Sequence, residues 1–271
     1  MVNSPLGEYL RARRAAVRPE DVGLTTMPGR RVEGLRREEV AELAGISPEY
    51  YLRLEQGRGH QPSDQVLRSL ARALMLDAAA VRYMTRLVSL QSGARRASRT
   101  AKLPEAVRAG FSGLLDQWSS TPAYLTDRNQ SLIAFNDLAR AILPGAWRPG
   151  ANLVLQIFSD DWRASDRDWE ASANRAVSAL RFYGDPGDPV FRDIVGLLSM
   201  RDPDFRRMWA IHEAAPLVSG ELHLDVGRFG RVSFDQQSLT PAGDENHIVT
   251  ILHAAPGSVS ADAIRSLKVA A

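Results

Sequence analysis

The chain has 271 residues, of which 44% are apolar, 7% aromatic and 24% charged, with a formal net charge of +2. That length and composition suit a globular protein of two domains with ordinary cores, and the lack of any cysteine excludes disulfides, thiolate zinc sites, zinc fingers and cysteine nucleophiles. No apolar run approaches the ~20 residues that span a bilayer, and Leu10 is followed at once by Arg11, Arg13 and Arg14, so no membrane partner is expected and a cytoplasmic location is.

The small net charge hides an asymmetry. Residues 1–101 carry 17 arginines against 11 acidic residues, a balance of +6, whereas residues 102–271 carry 17 basic and 21 acidic residues, a balance of −4. Cationic side chains displace counterions from phosphate, so a basic part joined to an acidic one suits a nucleic-acid binder with a second task. Lys102 and Lys268 are the only lysines. Arginine matches bidentate phosphate and guanine contacts, and a GC-rich genome would produce the same bias.

Ser4 and Pro5 read as the cap and first position of a helix over 4–16, with Leu6, Leu10 and Val17 at helical spacing and Arg11, Arg13 and Arg14 outward. A loop follows from Arg18 to Gly34, punctuated by Pro19, Gly23, Pro28, Gly29 and Gly34, longer than is usual inside a small helical domain. Arg30 and Arg31 at its end have two readings: contacts to a phosphate backbone or adjacent minor groove, or solvated loop charges.

Residues 36–58 read as two short helices joined by a tight turn. Val40, Ala41 and Ala44 form the inward face of the first, Gly45 permits a left-handed turn, and Ile46 fills the angle between them. Ser47 caps the second helix and Pro48 fits its first position. Tyr51, Leu54 and the ring edge of Tyr50 make one side apolar. Glu49, the Tyr50 hydroxyl and Arg53 remain outward, where a recognition helix meets base edges. Two further amphipathic helices, Ser63 to Leu74 and Asp77 to Leu90, complete five helices over 1–90. His60 falls in the breaker segment between, as a loop residue near the nucleic acid rather than a ligand. Residues 91–102, rich in Ser, Ala, Gly and Arg, read as a linker or a charged helix extension.

The block from Arg36 and Arg37 through Ala44-Gly45-Ile46-Ser47 to Leu54-Glu55-Gln56-Gly57-Arg58 resembles the helix-turn-helix of the Cro and lambda-repressor type, the XRE superfamily. The resemblance implies a lambda-repressor-like, all-α domain in which Pro48, Glu49 and Arg53 face bases while Arg37 and the backbone around Arg58 approach phosphates. Relatives often carry Gln, Ser or Asn at the first recognition positions. Pro48 has no polar side chain, which shifts base reading to Glu49 and Arg53. A helix pair used only for packing is the competing reading.

Beyond residue 103 the period changes. A helix over Pro104 to Trp118 precedes two strands, Thr121 to Thr126 and Ser131 to Phe135, about the turn Asp127-Arg128-Asn129-Gln130. Asn136 caps a short helix, further helices are expected near 166–182, 189–200 and 203–212, and three strands near 218–226, 231–239 and 247–253 return the chain to the first pair. This order gives an α+β domain with an antiparallel sheet over 103–271. The order, with Thr121-Pro122-Ala123-Tyr124, Ala134-Phe135-Asn136-Asp137-Leu138-Ala139, Phe205-Arg206-Arg207-Met208-Trp209 with His212, and Ala255-Pro256-Gly257-Ser258, resembles the PAS-like ligand-binding domain of MmyB-like regulators. The arginine-rich approach Gly29-Arg30-Arg31-Val32 to Val40 is also typical of that group. The chain departs from its pattern at Glu213-Ala214-Ala215-Pro216-Leu217, which alters the rim of any pocket.

The resemblance implies a pocket between sheet and helices for a small apolar molecule, with long-chain fatty acids the suggested class. Tyr124, Phe135 and Trp209 would supply its walls and His212 a partner for a carboxylate. Trp209 and His212 would otherwise pack on the sheet, the imidazole satisfied by a backbone carbonyl. No Gly-x-Ser-x-Gly elbow, phosphate-cradling glycine loop or His-Glu-x-x-His occurs, so no enzyme, cofactor or metal site is expected. His223, His247 and His253, on predicted strands without a nearby carboxylate at ligand spacing, read as surface or core histidines. Asp160, Asp161, Asp166, Asp168 and Glu170 read as solvated groups at a helix start. The expectation is a homodimeric regulator of palindromic double-stranded DNA whose second domain senses the ligand; the alternative is a second domain that serves only dimerisation or protein interaction.

Overall fold

The computed structural model describes residues 4–25, 30–58, 61–91, 105–241 and 246–270. Gly29, His60 and the expected linker beyond Gln91 lie outside them. Contacts divide the chain into two compact units, Met1–Thr100 and Ala101–Ala271.

The first unit holds α1 (Pro5–Ala16), α2 (Arg37–Ala44), α3 (Pro48–Glu55), α4 (Asp64–Ala73) and α5 (Ala78–Gln91). Local chemistry sets the helix starts. The hydroxyls of Ser4, Ser47 and Ser63 accept from the amides of Gly7, Tyr50 and Val66 at 3.2, 3.1 and 3.4 Å, each satisfying a donor that the helix leaves unpaired. Gly45 ends α2 at φ 67°, in the left-handed region. Two expectations change. Arg36 is the cap rather than the first residue of α2, its amide donating to the Glu39 carboxylate at 2.6 Å. The stretch expected as an open loop contains a 3-10 turn over Pro19–Val22, where Arg18 N donates to Asp21 at 3.2 Å.

Leu10, Leu35, Val40, Tyr51, Leu70 and Met84 are all fully buried in this unit. Backbones of α1 and α3 approach so closely that a Cβ at Gly7 would lie 2.1 Å from the Glu55 carbonyl oxygen. Tyr9 and Tyr83 meet edge to face at 5.0 Å, tying α1 to α5.

The second unit opens with α6 (Glu105–Gln117), then β1 (Ala123–Asp127) and β2 (Leu132–Phe135). Helices follow: α7 (Asp137–Ile142), α8 (Leu153–Ile157), α9 (Asp160–Ser165), α10 (Trp169–Tyr183), α11 (Pro189–Arg201) and α12 (Pro203–Ala210). The chain closes with β3 (Ser219–Asp225), β4 (Arg231–Leu239), β5 (His247–His253) and α13 (Val259–Ala270). The strands form one antiparallel sheet in the order β2-β1-β5-β4-β3.

Alternation along the strands gives the sheet two apolar faces. Ala123, Leu125 and Val249 pack with Leu115 of α6 on one side; Tyr124, Leu222, Phe234 and Leu252 face the helical layer on the other. A bulge in the β1–β2 pairing leaves Ile133 as the extra residue, so Ile133 and Ala134 both join the α6 cluster while Leu132 and Phe135 join the helical one.

The expected α+β order holds, with three corrections of detail. The helix expected from Asp166 begins at Trp169, because Asp166 bridges to Leu224 of β3 and α9 is separate. Helices α8 and α13 were not foreseen, although Asn152 and Ser258 accept from amides three residues on, at 3.2 Å each. The helix expected to reach 212 stops at Ala210, and His212 lies at φ 57°. Trp209 and His212 therefore do not share a helix. Among the described residues no helix is long and apolar enough to cross a membrane.

Candidate nucleic-acid interface and ligand cavity

On α3 and its cap, Ser47, Glu49 and Arg53 are exposed and Tyr50 is half-buried. Arg53 lies 5.8 Å from the Tyr50 ring centroid, at the outer limit of a cation–π contact. The Ser47 oxygen is occupied as the helix cap, which leaves its hydroxyl proton available to an outside acceptor. Arg31, Arg36 and Arg58 are exposed as well.

The opposite side of α3 explains how this surface is held. Glu55, four residues after Tyr51, is only 1% exposed, and Arg14 and Arg37 each place Nε 2.7 Å from one of its carboxylate oxygens. Arg14 also donates to the Leu35 carbonyl at 2.9 Å. One carboxylate thus fastens α1, α2 and α3 together. Burial, with the Glu55 charge beside it, holds the Tyr51 phenol well above its ordinary pKa. Sequence reasoning missed Glu55 and Arg14. The signal lay in the four-residue spacing from Tyr51, which puts Glu55 on the buried face.

Arg37, expected at phosphate, is half engaged: Nε is held by Glu55 while its side chain stays 45% exposed. Arg30 is committed within the domain. Its guanidinium pairs with both Glu39 oxygens at 2.6 Å and donates to the carbonyls of Val32 and Gly34 at 2.9 and 2.7 Å. The Arg30 hydrogen bonds hold Glu39 down to a pKa of about 2, helped by the Arg36 amide and opposed by partial burial. Arg30 thereby fixes the loop that carries Arg31 against the start of α2.

In the second unit a cavity of about 40 Å³ lies between the sheet and α10. Its walls include Leu153, Ile157, Trp162, Leu217 and Leu222, with Tyr124, Gln130, Gln236, Ser172 and Arg175 as the polar members. Tyr124 belongs to a polar row across the sheet. It pairs in register with Thr250, whose hydroxyl meets that of Ser238 at 2.9 Å. Burial pushes the Tyr124 phenol up to about 12, moderated by its hydrogen bond to Thr250 and by the positive charge of Arg175.

The four residues singled out for a pocket separate. Tyr124 lines the cavity. Phe135 packs beside it, both rings meeting Trp147 edge to face at 5.3 and 5.4 Å. Trp209 stacks on Phe205 at 5.5 Å and carries the Arg181 guanidinium 3.7 Å over its ring. Arg181 donates to the Trp209 carbonyl and lies 3.2 Å from His212 Nδ1; because arginine only donates, that imidazole nitrogen accepts. The Arg181 guanidinium is thus one partner of the imidazole.

Two further expectations are corrected. His223 has a carboxylate, with Nδ1 2.7 Å from Asp168. Asp166 is not solvated: it is 3% exposed and accepts from Trp162 Nε1 and the Asp168 amide at 3.4 and 3.0 Å. Among the described residues no group of three His, Asp or Glu is placed to hold a metal ion.

Comparison with known families agrees with this division. Residues 107–267, more than half of the chain, match the family described as MmyB-like transcription regulator ligand binding domain. Residues 5–84 match a helix-turn-helix domain. No curated protein matches the chain.

Proposed function

The chain belongs to the family defined by the MmyB-like transcription regulator ligand binding domain, here behind a helix-turn-helix domain, and from that premise we propose how this ligand-responsive regulator works. It binds a palindromic double-stranded DNA site as a homodimer. Two copies of α3 enter successive major grooves about 34 Å apart. A small apolar molecule of the long-chain fatty acid class occupies the second unit and shifts that binding.

The observation that carries the DNA reading is the two-sidedness of α3. Glu49 and Arg53 are exposed on a helix that Glu55 fastens from behind, the rigid support that base readout needs. Glu49 accepts from a cytosine amine and Arg53 donates to guanine acceptors, with Ser47 and Tyr50 as flanking contacts. Arg31, Arg36, Arg58 and the exposed part of Arg37 take phosphates; Arg30 acts through the loop it holds.

The test is a binding series on a selected operator and its single-base variants. Arg53→Ala relaxes discrimination at one position, whereas Arg36→Ala weakens every sequence alike and lowers the salt slope by about 1. Equal losses on all sequences in both variants would overturn this division of labour.

Apolar walls beside one guanidinium support the fatty acid reading. The small volume favours a second one, since ligand pockets run roughly 300–1,000 Å³: the unit would serve dimerisation or protein contact without a ligand. Native mass spectrometry separates them. A stoichiometric apolar adduct supports the sensor; no adduct, with no thermal shift from a fatty-acid panel, supports the interaction module.

A further inference from the structure

Resting on the sensor reading above, we infer that Arg175 is the anion anchor of the cavity and makes it selective for apolar acids over neutral molecules of the same shape. Three observations converge on it. Among the described residues that line the cavity, Arg175 carries the one formal charge.

Its partners form the second observation. The guanidinium donates to the Ser172 hydroxyl at 3.0 Å and to the Glu221 carbonyl at 2.7 Å, both neutral. By contrast, the half-buried guanidinium groups of Arg14, Arg30 and Arg163 meet carboxylates: Glu55, Glu39, and Asp202 with Asp204 at 2.7 and 2.9 Å. Arg175 is half-buried as they are but has no carboxylate among the described residues. A partly desolvated charge without a counter-ion favours an anion brought from outside.

The third observation is the rim. Leu217 enters the cavity wall from a coil over 213–218 that carries Pro216. That coil is tied by Ala215 N to Ser178 O at 3.3 Å and by Ser238 N to Val218 O at 2.8 Å. An apolar body larger than about 40 Å³ enters by displacing Leu217, and the coil yields at the cost of those two ties, one to α10 and one to β4. The head group then takes the guanidinium from the Glu221 carbonyl, with Gln236 and the Tyr124 hydroxyl close by to complete it.

The test uses the full-length chain with dodecanoate and dodecanol, below micellar concentrations, as matched probes. Tryptophan fluorescence, to which Trp162 in the cavity wall contributes, together with calorimetric titration, reads binding. Wild type should prefer the acid by a factor on the order of tenfold to a hundredfold, the worth of a charge-assisted hydrogen bond. Arg175→Gln should lose that preference, the ratio of acid to alcohol affinity falling toward one, and Arg175→Lys should keep part of it. The inference is overturned if wild type binds both probes equally, or if Arg175→Gln keeps the acid preference; the sensor reading survives either result. Failure of wild type to bind either probe would sink the sensor reading, and the anchor with it.

Discussion

Replacing Glu55 with alanine tests whether one buried carboxylate holds the DNA-binding unit together. In the folded protein the carboxylate is 1% exposed between Arg14, at 16%, and Arg37, at 45%. Removing it affects the two cations unequally. Arg37 can turn to water, as an exposed ion-pair partner does at a cost of at most about 1 kcal/mol. Arg14 cannot leave easily, because it is mostly buried and still bound to the Leu35 carbonyl. Stranding a buried charge costs about 3–5 kcal/mol; with one cation of two trapped, the loss should be near the lower end, about 3 kcal/mol. Glu55→Gln keeps the shape and an acceptor but loses the charge, and should cost about 1–2 kcal/mol. Urea unfolding can assign the effect to its unit, since Trp118, Trp147, Trp162, Trp169 and Trp209 all lie beyond residue 100. Far-UV circular dichroism reports the helices of both units and tryptophan fluorescence reports only the second. The dichroism transition of Glu55→Ala should therefore move to lower urea while the fluorescence transition stays. A loss below about 1 kcal/mol would show that water satisfies both guanidiniums and refute the clamp.

Acid sensitivity should trace partly to Glu39. Its folded pKa of about 2 lies below the ordinary 4.5, so its contribution is full above the ordinary value and is lost as pH falls toward the folded one. Glu39→Gln should flatten that limb of a stability-against-pH curve read by dichroism. Gly7→Ala should destabilise the first unit by about 1–3 kcal/mol or more, since the new methyl meets backbone that cannot yield; a neutral result would mean that α1 and α3 can separate freely. Thr250→Val, at a site 1% exposed, should cost about 1–3 kcal/mol by leaving the Tyr124 and Ser238 hydroxyls short of a partner. That loss belongs in the fluorescence transition and not in the helical signal of the first unit.

What the sequence determined by itself is what neighbouring residues decide among themselves. Ser47, Pro48 and Gly45 fix the turn and start of α3 because a cap reaches only three residues and a left-handed turn needs one glycine. The alternation of β4, buried at Val232, Phe234, Gln236 and Ser238, is likewise local, as is the outward position of Glu49 and Arg53. Tertiary structure decided everything that depends on a distant partner. Arg30, open between a phosphate contact and a solvated loop charge, is consumed by Glu39, and Arg37, placed at phosphate by the resemblance, is held by Glu55, 18 residues away. Trp209 and His212 matched a pattern, but their company is Arg181, brought from α10. Arg175 gave no signal, because an arginine on a helix becomes an anchor only when folding sets it against a cavity and, among the described residues, brings no carboxylate to it. Charge is legible residue by residue; whether it is already neutralised is set by which segments the fold brings together.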